Sequence, residues 1–336
     1  MDNADVLKKR FSAHPYLLAP MAGVTDAAYR IMCRRRGAAM AYSEMVSVAG
    51  LAYASEKTWD LVLPRDEEPQ ICVPEQFAGA GRAVSERVGS KLDAIDINMA
   101  CPARKVITKG EGSALLEQPE LAEKIVAACV ANCSVPVTVK IRKDFKSGKL
   151  LAPDFAARME QAGASAVAVH GRSAGQLYSG SADWSVIDAV ADRVSIPVIG
   201  TGDVFCAQDA ANMLPQTAAS AVFIARGTYG NPWIFQDAAA LSAGSPLPVH
   251  DAYERLAALR EHVELLDSLG GHMAKARTFA TWYLKGIPHA AFWRGRSVRY
   301  STTQEFLDLA DSIERDLAQC EELAGKGLPI PHDPFI

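Results

Sequence analysis

Cys101 stands in DINMACPARKV (96–106), between an apolar run and Pro102. A free thiol has a pKa of about 8.5, so at neutral pH roughly thirty thiols exist per thiolate, and an unassisted cysteine is a competent proton donor. The neighbouring Arg104 and Lys105 leave open the alternative of a nucleophile with a lowered pKa. Other polar residues close apolar runs in the same way: Gln76, Asn98, Lys140, Arg142, His170, and the turns GTGD (200–203) and ARG (225–227). Gln76 offers both a donor and an acceptor to a flavin-like heterocycle, and Lys140 can stabilise negative charge on a reduced ring. The two Gly-containing turns and Arg226 suit a phosphate, through backbone N–H groups and a guanidinium. Each residue alone has a plainer reading: a solvated lysine, a satisfied interior imidazole, a small buried thiol, an ordinary turn. Their shared position at run ends is what points to chemistry. Cys129 and Cys133, one helical turn apart, read as helix packing rather than metal ligands, and no metal site is expected.

Eight apolar runs carry these residues, at 15–21, 38–45, 71–77, 94–100, 135–141, 166–170, 196–202 and 221–227, with helically spaced segments between them. That alternation is the pattern of repeated βα units. Eight units ending near residue 240 predict an α/β fold, a closed TIM (β/α)8 barrel, with a doubly wound sheet as the alternative. In a barrel the C-terminal strand ends converge on one mouth, which would gather the polar residues named above. Asp26 is placed to cap a helix running to Gly37, Pro119 to open one, and Gly163 to follow one over 153–162. After Ala240 a Pro-containing connector, LSAGSPLPVH, leads to helical spacing without strand alternation, which predicts a small all-helical C-terminal domain. The division reads as a catalytic barrel over 1–243 and a helical domain over 250–336.

Composition bounds the partners. The chain is 49% hydrophobic and 22% charged, ordinary for a globular protein. Its seven scattered cysteines, and the lack of a signal-like or membrane-spanning apolar run, predict a reducing, cytoplasmic setting and no membrane partner. The net charge is −4, yet residues 271–300 hold Lys275, Arg277, Lys285, Arg294, Arg296 and Arg299 and no acid, interleaved with Phe279, Trp282, Tyr283, Phe292, Trp293 and Tyr300. One basic patch on an acidic body is the footprint of a nucleic-acid contact confined to one region. Most of those aromatics read as helical core.

APMAGVTD (19–26), SEMVS (43–47), DINMACPARKV, GEGSALL (110–116), PVTVKIRKDF (136–145), HGRSAGQLYSGSADW (170–184), PVIGTGD (197–203), ARGTYGNPWIF (225–235) and WYLKG (282–286) together resemble the bacterial tRNA-dihydrouridine synthase family, nearest its B-type, over almost the whole chain. The resemblance implies FMN in the barrel, NADPH (or NADH) as electron donor, tRNA as the macromolecular partner, and no obligate protein partner. It implies FMN contacts at Pro20, Met21, Ala22, Gln76, Lys140, His170, Thr201, Gly202, Asp203, Ala225 and Arg226. Asn98 and Arg142 would touch flavin or uracil, Cys101 would protonate uracil carbon 5 opposite a hydride arriving at carbon 6, and the basic patch would hold tRNA phosphates. The chain departs from the family pattern at Thr201, where Asn is usual, at Ala100 and Ala225, where Gly is usual, and at Arg277-Thr278-Phe279, where Arg-Lys-His is usual. A flavin barrel acting on a small pyrimidine would share the strand-end chemistry but has no need of the basic helical domain.

Overall fold

The computed structural model describes residues 2–46, 70–74, 83–84, 86–88, 92–146, 148–331 and 334. Strands β1 (Tyr16–Leu18), β2 (Ala41–Val46), β3 (Gln70–Pro74), β4 (Leu92–Met99), β5 (Val137–Arg142), β6 (Ala166–His170), β7 (Val198–Thr201) and β8 (Ala221–Ile224) pair in parallel in chain order, and β8 returns to β1. The expected TIM barrel is therefore the fold, and closure leaves no sheet edge, which excludes the doubly wound alternative. The strands are Val-, Ile- and Ala-rich because both faces are covered, one by the helices and one by the barrel interior. Gln76 lies outside the described residues.

Local chemistry sets the helix boundaries where the sequence placed them. After α1 (Asn3–Ala13), α2 (Ala27–Arg35) begins where the Asp26 carboxylate accepts the Tyr29 N–H at 2.9 Å, and it stops ahead of Gly37, whose φ of +95° suits a residue without a Cβ. A short helix α3 (Arg104–Ile107) and a 3-10 turn over Gly112–Glu117 follow β4, and α4 (Pro119–Val130) opens with its proline in the first turn, where no N–H is needed. Gly163, at φ +102°, follows α5 (Ala152–Gln161). The remaining barrel helices are α6 (Ser185–Ala191), α7 (Ala207–Gln216) and α8 (Ile234–Ser242). Cys129 is buried in α4 with its thiol pushed up to about 12 by burial and by Cys133, which lies past the end of that helix and packs against a cluster of Val46, Val84, Val88, Leu92 and Ile95.

Strand parity decides what the barrel interior contains. Ala94, Ala166, Ala168, Ile199, Ala221 and Phe223 share one buried cluster with Leu17, Met40 and Tyr42, the last meeting Phe223 edge-on at 4.5 Å between ring centres. Successive residues alternate faces, so Asp96 and Asn98 on β4, Thr138, Lys140 and Arg142 on β5, His170 on β6 and Thr201 on β7 point the same way as that cluster. Register stacks them in tiers. Asp96 lies abreast of Thr138, Asn98 of Lys140, and Arg142 of His170, which in turn lies abreast of Thr201.

The contacts divide the chain into one unit of Met1–Gly227 with Trp233–Pro246, and a second of Thr228–Pro232 with Leu247–Ile336. The second unit is helical: α9 (Ala252–Ser268), capped by Asp251; α10 (Ala274–Tyr283); α11 (Ala290–Ser297); and α12 (Thr303–Gly325), opened by a reciprocal Thr302–Glu305 capping box. Trp293 fills its centre and donates to Asp316 at 2.7 Å; the same carboxylate takes His289 Nδ1 at 2.9 Å, while His289 Nε2 meets the Pro331 carbonyl at 2.6 Å. Both ring nitrogens are thus engaged within the unit. Within the same unit Tyr229 stacks flat on Trp282 with centres 4.0 Å apart. Among the described residues no helix is long and apolar enough to cross a membrane.

Candidate active site

The Cys101 loop is fixed from both sides. Asn98 Oδ1 accepts the N–H groups of Ala100 and Cys101, each at 3.0 Å, which folds the chain sharply as it leaves β4. The Cys101 carbonyl in turn accepts from the Ser113 N–H at 3.1 Å and the Ser113 hydroxyl at 3.0 Å. Gly112 permits this approach: it sits at φ +60°, and a Cβ there would lie 2.7 Å from the Cys101 carbonyl oxygen. The thiol is left half-buried at the strand end, reachable from the mouth.

Arg142, which the resemblance places at flavin or uracil, also makes bonds within the protein. It is buried, and its donors reach carbonyl oxygens: Nε to Ala100 at 2.9 Å, and one terminal nitrogen to Ser173 at 2.8 Å and Leu177 at 3.1 Å. It ties the Cys101 turn to the loop after β6. Arg172 does the equivalent one strand further on, gripping both oxygens of Asp203 at 2.7 and 2.9 Å while donating to the Ser179 and Gly180 carbonyls. Burial works against charge on Asp203, but Arg172, the Ala182 N–H and Arg226 together hold its carboxyl below the usual range. Asp203 is thus bound as an anion, and its backbone stands at φ +55°, a conformation uncommon outside Gly, Asn and Asp. Its carboxylate holds the loops, while a ligand phosphate would have to use the backbone beside it.

The centre of the mouth is cationic around a neutral ring. His170 is buried, and burial together with Lys140, Arg142, Arg172 and Arg226 pushes its pKa down to about 2, so the imidazole is uncharged throughout the working range. Gly202, at φ +127°, presses on that ring: a Cβ there would fall 2.9 Å from the imidazole and 2.5 Å from Ala182. The Thr201 hydroxyl bonds the Phe223 carbonyl at 3.2 Å, inside the sheet. Lys140 is half-buried beside Asn98. Arg226 lies between the exposed rings of Tyr178 and Phe205, 4.7 and 4.9 Å from their centres, and 3.9 Å from Asp203. Across the barrel, Pro20, Met21 and exposed Ala22 form the loop after β1, a turn clasped by buried Thr25 through its bonds to the Met21 N–H and carbonyl, with Ala225 partly buried at the end of β8.

The fold therefore brings Pro20, Met21, Ala22, Asn98, Cys101, Lys140, Arg142, His170, Thr201, Gly202, Asp203, Ala225 and Arg226 to the C-terminal strand ends of the barrel. A floor of neutral imidazole and glycine within a ring of cations fits a flat heterocycle bearing an anionic group. Residues to which sequence reasoning gave no role hold it together: Thr25, Gly112, Ser113 and Arg172. All four lie within the quoted motifs, Arg172 at a strand end, but what Gly112, Ser113 and Arg172 touch is distant in sequence.

The helical unit carries the basic segment on α10, α11 and the turn between them. Lys285, Arg296 and Arg299 are exposed, Lys275 and Arg294 partly so, and Arg277 is committed through Nε to the Tyr300 carbonyl at 2.7 Å. Phe279, Tyr283 and Trp293 are core, as the spacing suggested.

Comparison with known proteins agrees with this arrangement. The dihydrouridine synthase (Dus) family model matches residues 17–319. The chain is 38% identical to tRNA-dihydrouridine synthase B of Pseudomonas aeruginosa, covering 85% of this chain and 89% of that protein. It is 36% identical to a probable tRNA-dihydrouridine synthase of Rickettsia conorii, over 83% and 87%, and 35% identical to probable tRNA-dihydrouridine synthase 1 of a Synechocystis species, over 88% and 85%. Among solved structures, a FabK mutant from Thermotoga maritima aligns over 72% of this chain and 66% of that one, at 16% identity and a TM-score of 0.41, a likeness too distant to bear on function. With a family match spanning both units and the motif residues gathered at one barrel mouth, the chain belongs to the dihydrouridine synthase family.

Proposed function

We propose that the protein is a cytoplasmic tRNA-dihydrouridine synthase that binds FMN at the barrel mouth and uses NADPH or NADH to reduce the 5,6 double bond of uridine. The observation that carries the reading is the half-buried Cys101, its backbone fixed just past β4, beside a mouth whose cations surround a neutral imidazole. Lys140, His170 and the backbone of Thr201–Asp203 and Ala225–Arg226 would hold the cofactor, with the loop Pro20–Ala22 on the other side. Bound there, FMN supplies the hydride equivalent that reaches carbon 6 of the base.

The remaining chemistry belongs to the chain. The Cys101 thiol delivers its proton to carbon 5 as carbon 6 is reduced, so no carbanion has to persist. Asn98 and Ser113 orient that thiol by holding the backbone on either side of it. Lys140 opposes negative charge developing on the bound ring, and neutral His170 donates or accepts a hydrogen bond without adding charge. Arg142 and Arg172 keep the loops rigid so that these groups stay in place. The base must leave its stack to enter a barrel mouth, at a cost of a few kcal/mol. Lys275, Arg277, Lys285, Arg294, Arg296 and Arg299 offset that cost by phosphate contacts that carry no sequence information.

The test is to incubate the protein and NADPH with unmodified tRNA and map dihydrouridine by mass spectrometry, beside Cys101→Ala. Dihydrouridine at a defined position, lost in the variant, is the expected result. A yellow protein that oxidises NADPH and leaves tRNA untouched overturns it in favour of a small-molecule flavin reductase.

A further inference from the structure

Beneath the mouth lies an acid that the reaction just described does not use. Asp96 is 1% exposed, inside the barrel, one tier below Asn98 and Lys140. Its Oδ1 accepts the Thr138 hydroxyl at 2.6 Å, while Oδ2 is buried with no hydrogen-bond partner. A carboxylate so enclosed is costly unless a cation is near. Lys140, two residues beyond Thr138 on the same face of β5, is the cation placed to serve it.

The need is mutual. Lys140 has Arg142 on its own strand, Cys101 and Asp96 on the β4 side, and His170 on β6; Asp96 also faces the Tyr42 phenol of β2, which in turn feels Asp93. Among these Arg142 repels an ammonium, and His170 and Tyr42 are uncharged. Burial lowers Lys140 to about 8 against the pull of Asp96, and burial raises Asp96 to about 7 against the pulls of Thr138 and Lys140.

We propose that Asp96 is a positioning residue that keeps Lys140 in its ammonium form, so that a positive charge stands ready beneath a ring that gains negative charge on reduction. The consequence for chemistry rests on the reading of Lys140 given above; the electrostatic coupling of Asp96 to Lys140 across neighbouring tiers does not. Removing the acid leaves burial and Arg142, which favour the neutral amine, opposed by the weaker pull of Cys101. The fraction able to oppose charge then falls at neutral pH.

Competitive acetylation of the full-length chain by acetic anhydride across pH, read peptide by peptide by mass spectrometry, follows the protonation of Lys140, with exposed Lys105 as internal reference. In Asp96→Asn the Lys140 midpoint is expected to drop by about one pH unit or more, within the range that an opposite charge at close quarters produces. Lys105 stays put. Thr138→Val, which keeps the carboxylate and strips its donor, should move Lys140 in the same direction by less, and it carries the test if Asp96→Asn does not fold. A Lys140 midpoint unmoved in a folded variant overturns the proposal. The labelling needs neither tRNA nor turnover, so a protein inactive on tRNA still answers it, and an active one with unmoved Lys140 loses only the role of Asp96.

Discussion

If Cys101 is the acid, the proposed role needs its direction held, and Asn98 holds the backbone that carries it. Asn98→Ala removes the acceptor of two N–H groups and leaves the Cys101 turn held by Ser113 and by Arg142 at Ala100. The expected outcome is a fall in kcat of about 10²-fold, the effect of misplacing a reacting group by about 1 Å, with bound FMN unchanged. Single-turnover reduction of tRNA measures it; wild-type kcat would show that the turn holds without Asn98. Asp203 supports a second prediction at this scale. Its folded carboxyl lies below the ordinary value, so its contribution to stability is fully present above the ordinary Asp pKa of about 4 and is lost as pH falls through the folded value. Asp203→Asn accepts the same positive φ but leaves buried Arg172 without its anion, which should cost on the order of 2–4 kcal/mol at neutral pH. The melting temperature of the variant should also respond less to acid than that of the wild type. Parallel acid limbs in the two proteins would assign the stability to other groups. The strand-end residues were legible in the sequence because polar residues closing apolar runs are a one-dimensional signal. Which of them would be engaged by carbonyls, as Arg142 is, was not legible, since its partners at Ala100, Ser173 and Leu177 come together only when the barrel closes.

At the scale of elements, strands and helix ends were readable for the same reason: buried parallel strands are continuous apolar runs, and caps are single-residue chemistry. Asp26, Pro119 and Gly163 act where their types predicted. Shorter elements between β4 and α4 were harder to read, because α3 and the 3-10 turn exist to bring Gly112 and Ser113 against Cys101 rather than to satisfy a periodicity. Gly112→Ala tests that account. The new Cβ would meet the Cys101 carbonyl oxygen at 2.7 Å and Val106 at 2.9 Å, at a φ of +60° that alanine resists. The loop must shift, so dihydrouridine formation should fall at least tenfold, whereas Gly23→Ala, with open space around its Cβ, should cost only the strain of its φ of +77°. Equal activity losses in the two variants would deny the Gly112 contact a specific role.

For the whole molecule, the question is how a chain of net charge −4 holds a polyanion. Two groups of cations stand out: Lys140, Arg142, Arg172 and Arg226 gather around His170 at the mouth, and residues 271–300 of the helical unit hold six cations without a single acid. Arg296 and Arg299 are exposed and Arg294 partly so. If they contact phosphates, replacing all three by Gln removes up to three counterion-releasing contacts, and the slope of log affinity against log salt should flatten by about 2–3. Affinity for tRNA should fall most at low salt, while FMN content and NADPH oxidation, which the proposed function assigns to the barrel unit, should stay at wild-type values. Filter binding at several salt concentrations separates this from a folding defect, because a disrupted helical unit would lose affinity without a regular change of slope. An unchanged slope would move the phosphate contacts to Lys275, Arg277 and Lys285. Of these Arg277 is already committed to the Tyr300 carbonyl and Lys285 is exposed, so the next variant to make would be Lys285→Gln.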